Sequence, residues 1–133
     1  MSRIRIALPV LLLLLAACPQ RTAVWIAEGS TARDLTFVLG QKEGRERRIQ
    51  SYVRVDRCGP WYRDSAMWIA SADTSRVTYG VTGPGATEQQ PARPLVPGCY
   101  SVMTGGTGSI AFTVDSDGGV TQLDSVPAEV FAP

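Results

Sequence analysis

The chain has 133 residues with 13 basic and 12 acidic side chains, and it contains no histidine. A formal net charge of +1 creates no field that would draw the protein to nucleic acid. Without histidine, Ser-His-Asp and Cys-His catalysis are excluded, and the commonest zinc ligand is missing. The length suits one domain built around a single core.

The first 17 residues have the pattern of a secretory signal. Two arginines and no acid precede an apolar stretch over residues 6–17, as in the charged and apolar regions of signal peptides. A helix of about 12 residues spans about 18 Å, which is short of the roughly 30 Å hydrocarbon core, so a transmembrane anchor is the weaker interpretation. We therefore predict a signal-peptide helix over residues 1–17.

This apolar stretch ends in Leu15-Ala16-Ala17-Cys18, which resembles the lipobox of bacterial lipoproteins. The resemblance implies that Cys18 receives a diacylglycerol thioether, that residues 1–17 are removed, and that the new amino terminus is acylated, for example with palmitate. Two or three acyl chains make such an anchor effectively permanent. Pro19 follows the cysteine where aspartate is the enterobacterial signal for inner-membrane retention, so the implied address is the outer membrane, facing the periplasm. An ordinary signal peptide followed by an incidental cysteine is the alternative.

The resemblance divides the chain into four parts. They are a signal peptide (1–17), a lipidated tether (18–23), a folded domain (24–124) and a C-terminal tail (125–133). A tether of about six residues reaches about 20 Å when it is extended. The domain is therefore expected to lie close to its membrane.

Seven short runs in the folded domain are typical of β-strands, because they alternate apolar and polar residues between Gly, Pro, Asp or Ser. The second run is expected to bury Leu35, Phe37 and Leu39, and the third run to bury Ile49, Val53 and Val55. The turn-forming residues 72–75 and 105–108 predict two hairpins. The seven runs are 24–28, 35–40, 49–57, 66–71, 76–81, 99–104 and 109–114.

Helical periodicity with capping residues is not sustained anywhere in this domain. We therefore predict an all-β fold, a small antiparallel β-sandwich of about seven strands, with a small β-barrel as the alternative. Residues 95–102, LVPGCYSV, resemble the start of a late strand in fibronectin type III and immunoglobulin-like domains. The resemblance implies that Tyr100 is a corner tyrosine whose hydroxyl bonds to nearby backbone. It concerns architecture and not function.

Cys58 and Cys99 are the cysteines that remain if Cys18 carries lipid. An even number of cysteines in an oxidising compartment predicts a disulfide. Closing a loop of about 40 residues stabilises the fold by on the order of 4 kcal/mol in the chain-entropy model. The alternative, a reactive pair, normally has C-x-x-C spacing, which this sequence lacks. We predict that Cys58 and Cys99 are bonded.

Two loops are candidate contact surfaces. The first, residues 41–48, is either a solvated hairpin loop or a contact with anionic lipid head groups or lipopolysaccharide phosphates. Its candidate residues are Lys42, Arg45, Arg47 and Arg48. The second loop places Trp61, Tyr62 and Arg63 beside Cys58, and aromatic residues with arginine are typical of interaction hot spots. A core position is equally expected for Trp61, whereas Trp68 is assigned to the core.

Asp115 and Asp117 stand two residues apart before two glycines in VDSDGG, as at the start of D-x-D-G calcium loops. The further oxygen ligands are missing at the required spacing, and Asp and Gly also favour a tight turn. A turn is therefore preferred to a metal site, and no cofactor is expected. The acidic residues also show no local pattern that would mark a glycosidase-like pair.

These patterns favour a lipid-anchored envelope protein that is a non-catalytic binding or assembly module. Its expected partners are the membrane, through the anchor, and another envelope protein. The alternative is a carboxylate-dependent enzyme or accessory subunit that acts on envelope polymers. Two acids facing each other in a buried cleft would favour the enzyme, whereas an exposed aromatic and arginine patch would favour the binding module.

Overall fold

A computed structural model describes residues 22–41, 44–59, 65–105 and 108–123 of the chain. Within these residues the secondary structure consists of ten β-strands. In the described part of the chain, no helix is long and apolar enough to cross a membrane. The strands are β1 (Thr22–Ile26), β2 (Thr36–Gln41), β3 (Arg45–Glu46), β4 (Ile49–Arg57), β5 (Ala66–Thr74), β6 (Arg76–Thr78), β7 (Ala86–Gln90), β8 (Gly98–Thr104), β9 (Ser109–Val114) and β10 (Val120–Gln122).

The strands form two antiparallel sheets. In the smaller sheet, β2 pairs with β1 along one edge and with β3 and β6 along the other. The larger sheet has six strands in the order β10-β9-β8-β4-β5-β7. Since neither of the two described sheets closes on itself, the fold is a β-sandwich and not a barrel, as the sequence predicts.

The core lies between the facing sides of the two sheets. Phe37 of β2 and Phe112 of β9 are both fully buried, and their ring centroids lie 6.1 Å apart across the interface. Alternation along β4 buries Val53 and Val55 completely, as predicted, while Ile49 at the start of that strand is only partly buried. Burying each such side chain contributes about 1.5–3 kcal/mol. The predicted inward set on the second run is confirmed, with Leu35, Phe37 and Leu39 each at most 1% exposed.

The predicted hairpin through residues 72–75 is wrong, whereas the β8–β9 hairpin is confirmed. Strand β5 continues to Thr74, and the chain then crosses to the smaller sheet, where β6 pairs with β2. The two edges of β5 are already paired, one with β4 and the other with β7. The crossing also buries Val77, which is 3% exposed, against the core.

Three strands lie outside the seven predicted runs: β3 within residues 41–48, called the basic loop below, β7 within residues 83–98, which contain four prolines, and β10 near the end of the described chain. Strand β1 begins at Thr22, two residues before the predicted start of the domain, and Thr22 pairs with Gln41. The predicted signal segment, Cys18 and the C-terminal tail lie outside the described residues.

Candidate functional site

Strand β1 begins at the same end of the sandwich as the basic loop. Thr22 pairs with Gln41, the residue that also pairs with Arg45 of β3. The hydroxyl of Thr22 donates a hydrogen bond of 3.3 Å to the carbonyl of Gly105, in the β8–β9 turn. We call this end of the sandwich, defined by Thr22, residues 44–48 and Gly105, the proximal end.

Two glycines allow the β2–β3 turn to fold back tightly. Gly44 adopts a positive φ of 81°, which other residues rarely adopt, and its N–H donates to the carbonyl of Gln41 at 3.0 Å. Gly40 packs so closely against β3 that a Cβ on it would collide with the backbone carbonyl oxygen of Arg45. The turn therefore places the side chains of residues 45–48 at the surface, where all of them are exposed.

Ion pairs order Arg48 at the proximal end and Arg76 in the adjoining strand β6. The Nε and Nη2 atoms of Arg48 donate to the carboxylate of Asp73 at 2.8 and 3.0 Å, and the hydrogen bonds lower the pKa of that carboxyl. The Nε atom of Arg76 donates to Oε1 of Glu46 at 2.9 Å, and this hydrogen bond lowers the pKa of the Glu46 carboxyl. The Arg48 side chain is still 75% exposed. Of the residues predicted for an anionic contact, Arg45, Arg47 and Arg48 lie at this end, while Lys42 lies outside the described residues.

The opposite end of the sandwich is closed by contacts between loops. Ala32 in the β1–β2 loop donates its N–H to the carbonyl of Gly118 in the β9–β10 turn at 2.8 Å. The Cys58–Cys99 disulfide joins the end of β4 to the start of β8, with Cα atoms 5.3 Å apart. This confirms the predicted bond. We call this end, defined by residues 27–35, residues 115–119 and the disulfide, the distal end.

A cleft of about 710 Å³ opens at the distal end. Its walls are residues 31–33, residues 114–118, and the apolar side chains of Pro94, Leu95 and Pro97. The two turns that border it are acidic, since they carry four carboxylates and one arginine. The charged residues are Glu28, Arg33, Asp34, Asp115 and Asp117.

Asp115 closes the β9–β10 turn, as the turn interpretation predicts. Its Oδ1 atom accepts hydrogen bonds from the N–H groups of Asp117 at 2.9 Å and of Gly119 at 2.8 Å. Both aspartates are exposed. Among the described residues, no group of three or more Cys, Asp or Glu side chains is arranged to hold a metal ion.

A buried carboxylate, missed by the sequence analysis, lies near the disulfide. Asp56 is 1% exposed and accepts hydrogen bonds from Nε and Nη2 of Arg54 at 2.9 and 3.0 Å, and from the hydroxyl of Ser65 at 3.0 Å. The sequence pattern that could have identified it is Arg54-Val55-Asp56, because alternation along a strand puts the two charged residues together on the face opposite Val55. The bonds hold Ser65 against β4.

Residues 60–64 lie outside the described chain, and with them the predicted partner contacts Trp61, Tyr62 and Arg63. The assignment of Trp68 to the core is confirmed. Its indole is fully buried, and the indole N–H donates to the carboxylate of Glu88 at 2.9 Å. The Trp68 ring also meets the ring of Tyr79 edge-on, with centroids 5.3 Å apart.

Comparison with known proteins identifies no relative of this chain. No protein-family model, no curated protein and no solved structure matches the chain. The function must therefore be inferred from the chain's own residues.

Proposed function

We propose that the chain is a lipid-anchored protein of the bacterial cell envelope, attached through Cys18 to the outer membrane and facing the periplasm. Its β-sandwich is a non-catalytic binding or assembly module. The anchor is supported by the resemblance of Leu15-Ala16-Ala17-Cys18 to a lipobox, and one structural observation gives the orientation: β1 begins at Thr22, four residues after Cys18. The four residue steps from Cys18 to Thr22 span about 14 Å at most. An anchor at Cys18 therefore keeps the proximal end beside the bilayer.

The same geometry presents the distal end to the periplasm. Strand β4 has nine residues, which at about 3.3 Å per residue extend about 30 Å between the two ends. The distal end combines an open cleft, an apolar wall at Pro94, Leu95 and Pro97, and the flanks of the segment that holds Trp61. Apolar surface next to charged turns is typical of protein contacts, so we place the partner here.

The enzyme alternative has less support. The cleft holds two carboxylates, but Oδ1 of Asp115 is bonded to the turn and both side chains are exposed. The pair therefore lacks the buried cleft that would favour the enzyme alternative.

Cys18→Ser tests the anchor. The variant should remain as an uncleaved precursor without lipid, because lipidation precedes cleavage in the lipoproteins that this segment resembles. Ala17→Gly is the matched control, since it keeps a small residue before the cysteine and should be lipidated normally. Intact-mass measurement on the membrane fraction distinguishes the forms. Mature Cys18→Ser protein of normal size without lipid would show that the anchor is wrong.

Photocrosslinking in the native envelope tests the binding module. A photoreactive side chain at Asp117, at the distal end, should capture one protein reproducibly, while the same group at Arg45 should not. Trp61→Ala should abolish this capture and leave the unfolding temperature nearly unchanged. A Trp61→Ala protein that unfolds would place the indole in the core and remove it from the partner contact.

A further inference from the structure

We propose that the proximal end of the sandwich binds the head groups of anionic phospholipids, so that the domain has one fixed orientation on its membrane. The inference rests on the proposed lipid anchor, which would bring this end to the bilayer. It adds a second attachment, made by arginine side chains. The two ends would then have separate tasks, with the proximal end on lipid and the distal end on a protein.

Charge separates the two ends of the molecule. The described residues at the proximal end and in the adjoining strands β5 and β6 include four arginines and two carboxylates: Arg45, Arg47, Arg48 and Arg76 with Glu46 and Asp73. The distal end has four carboxylates in its two turns against three arginines, of which Arg33 lies in a turn, Arg57 next to the disulfide and Arg93 next to the cleft wall. An anionic surface therefore attracts the proximal end and repels the distal turns.

The arginines are presented in a way that suits phosphate. The tight turn that requires Gly40 and Gly44 leaves Arg45 and Arg48 exposed at the tip. Asp73 occupies the Nε–Nη2 edge of Arg48, whose side chain is 75% exposed, so the Nη1 side of the guanidinium is the part that can donate to a phosphate. A guanidinium group donates several hydrogen bonds in a fixed plane, which matches the oxygens of a phosphate. Ordering by an ion pair reduces the side-chain entropy that is lost when phosphate binds.

The short tether between Cys18 and β1 decides how near the proximal arginines lie to the membrane surface. Attraction between exposed charges is largely screened beyond about 8 Å at physiological ionic strength. The four residue steps from Cys18 to Thr22 span only about 14 Å when fully extended, and Thr22 pairs with the same residue as Arg45. A lipid at Cys18 would thus keep these arginines close enough to the bilayer that small movements of the domain bring them into contact with its head groups.

The test uses the chain from residue 19 to residue 133, which contains all ten described strands and the whole core. Because Cys18 is absent, the result does not depend on whether that residue is lipidated. Binding is measured by cosedimentation with phosphatidylglycerol–phosphatidylcholine vesicles and with pure phosphatidylcholine vesicles. We expect binding to the anionic vesicles only, lost as salt is raised.

Arg45→Ala should weaken this binding about fivefold, as expected for one basic residue near an anionic surface, and Arg45→Glu should weaken it further. Arg33→Ala and Arg33→Glu make the same changes at the distal end and should leave binding unchanged. Circular dichroism verifies that every variant is folded. Equal losses at both arginines, equal binding to neutral vesicles, or no binding at low salt would each overturn the inference.

Discussion

The hydroxyl of Tyr100 donates a hydrogen bond of 2.6 Å to the carbonyl oxygen of Val96, four residues earlier in the chain. The residue is 1% exposed, and its ring stacks on Phe112 with centroids 5.5 Å apart. A corner tyrosine has this geometry. Tyr100 is the third residue of β8 and follows the bonded Cys99, so the bond fixes the path of the chain into this strand.

Tyr100→Phe should destabilise the domain by about 1–2 kcal/mol. The substitution keeps the stacked ring but leaves the carbonyl of Val96 without this donor. Tyr52→Phe is the control, because Tyr52 is 45% exposed and exposed substitutions change stability by about 0.5 kcal/mol at most. Urea unfolding gives both values. Equal values for the two variants would show that the Tyr100 bond adds nothing.

Stability should fall at alkaline pH. Burial raises the pKa of Tyr79 and of Tyr100 above the ordinary value of 10.0. The unfolded chain then loses these protons at lower pH than the folded chain does. The two tyrosines therefore contribute fully to the free energy of unfolding at pH values below their pKa in the unfolded chain, and this contribution is lost as the pH rises above that value. Urea midpoints at about pH 8 and about pH 11 should show the fall, and Tyr79→Phe should reduce it. A Tyr79→Phe protein with an unchanged fall would contradict the assignment.

Asp56→Ala should destabilise the domain by about 2–4 kcal/mol, because it removes a buried carboxylate and three hydrogen bonds, and leaves Arg54 without this partner. Asp73→Ala breaks an ion pair of nearly the same geometry, with Arg48, but at an exposed position. The control should therefore change stability little. Chemical denaturation compares the two variants, and a larger loss for Asp73→Ala would refute the importance of burial.

Gly40→Ala should disrupt the β2–β3 turn, since the new Cβ would overlap the backbone carbonyl of Arg45. Overpacking of this kind costs about 1–3 kcal/mol or more. Gly83→Ala is the matched control, because nothing lies within 4 Å of the position its Cβ would take. Thermal unfolding monitored by circular dichroism measures both. A Gly40→Ala protein as stable as the control would mean that the close approach of β3 is absent in solution.

Replacing the bonded cysteines, as Cys58→Ala with Cys99→Ala, should destabilise the domain by about 2–5 kcal/mol. Before reduction, the intact protein should have a mass about 2 Da lower than after it, because forming a disulfide removes two hydrogens. Thiol titration under denaturing conditions provides the check. Two reactive thiols at Cys58 and Cys99 in unreduced protein would exclude the bond.

Local patterns were enough to predict several elements. The runs at 49–57 and 109–114 match β4 and β9 residue for residue. Successive side chains of a strand point to opposite faces, so a strand with one buried face can be recognised from neighbouring residues. The two cysteines and the role of Tyr100 were also predictable, since each depends on composition or on residues a few positions apart.

Only the tertiary structure decided which strands pair and what lies at each end. Strand β7 has the sequence ATEQQ and pairs at the edge of the sheet, so its burial alternates while its residue types do not alternate between apolar and polar. Strand β6 joins the smaller sheet because both edges of β5 are occupied. The burial of Asp56 depends on Ser65, and the position of Thr22 beside the basic loop depends on Gln41. These contacts join residues far apart in the chain, and no local periodicity records them.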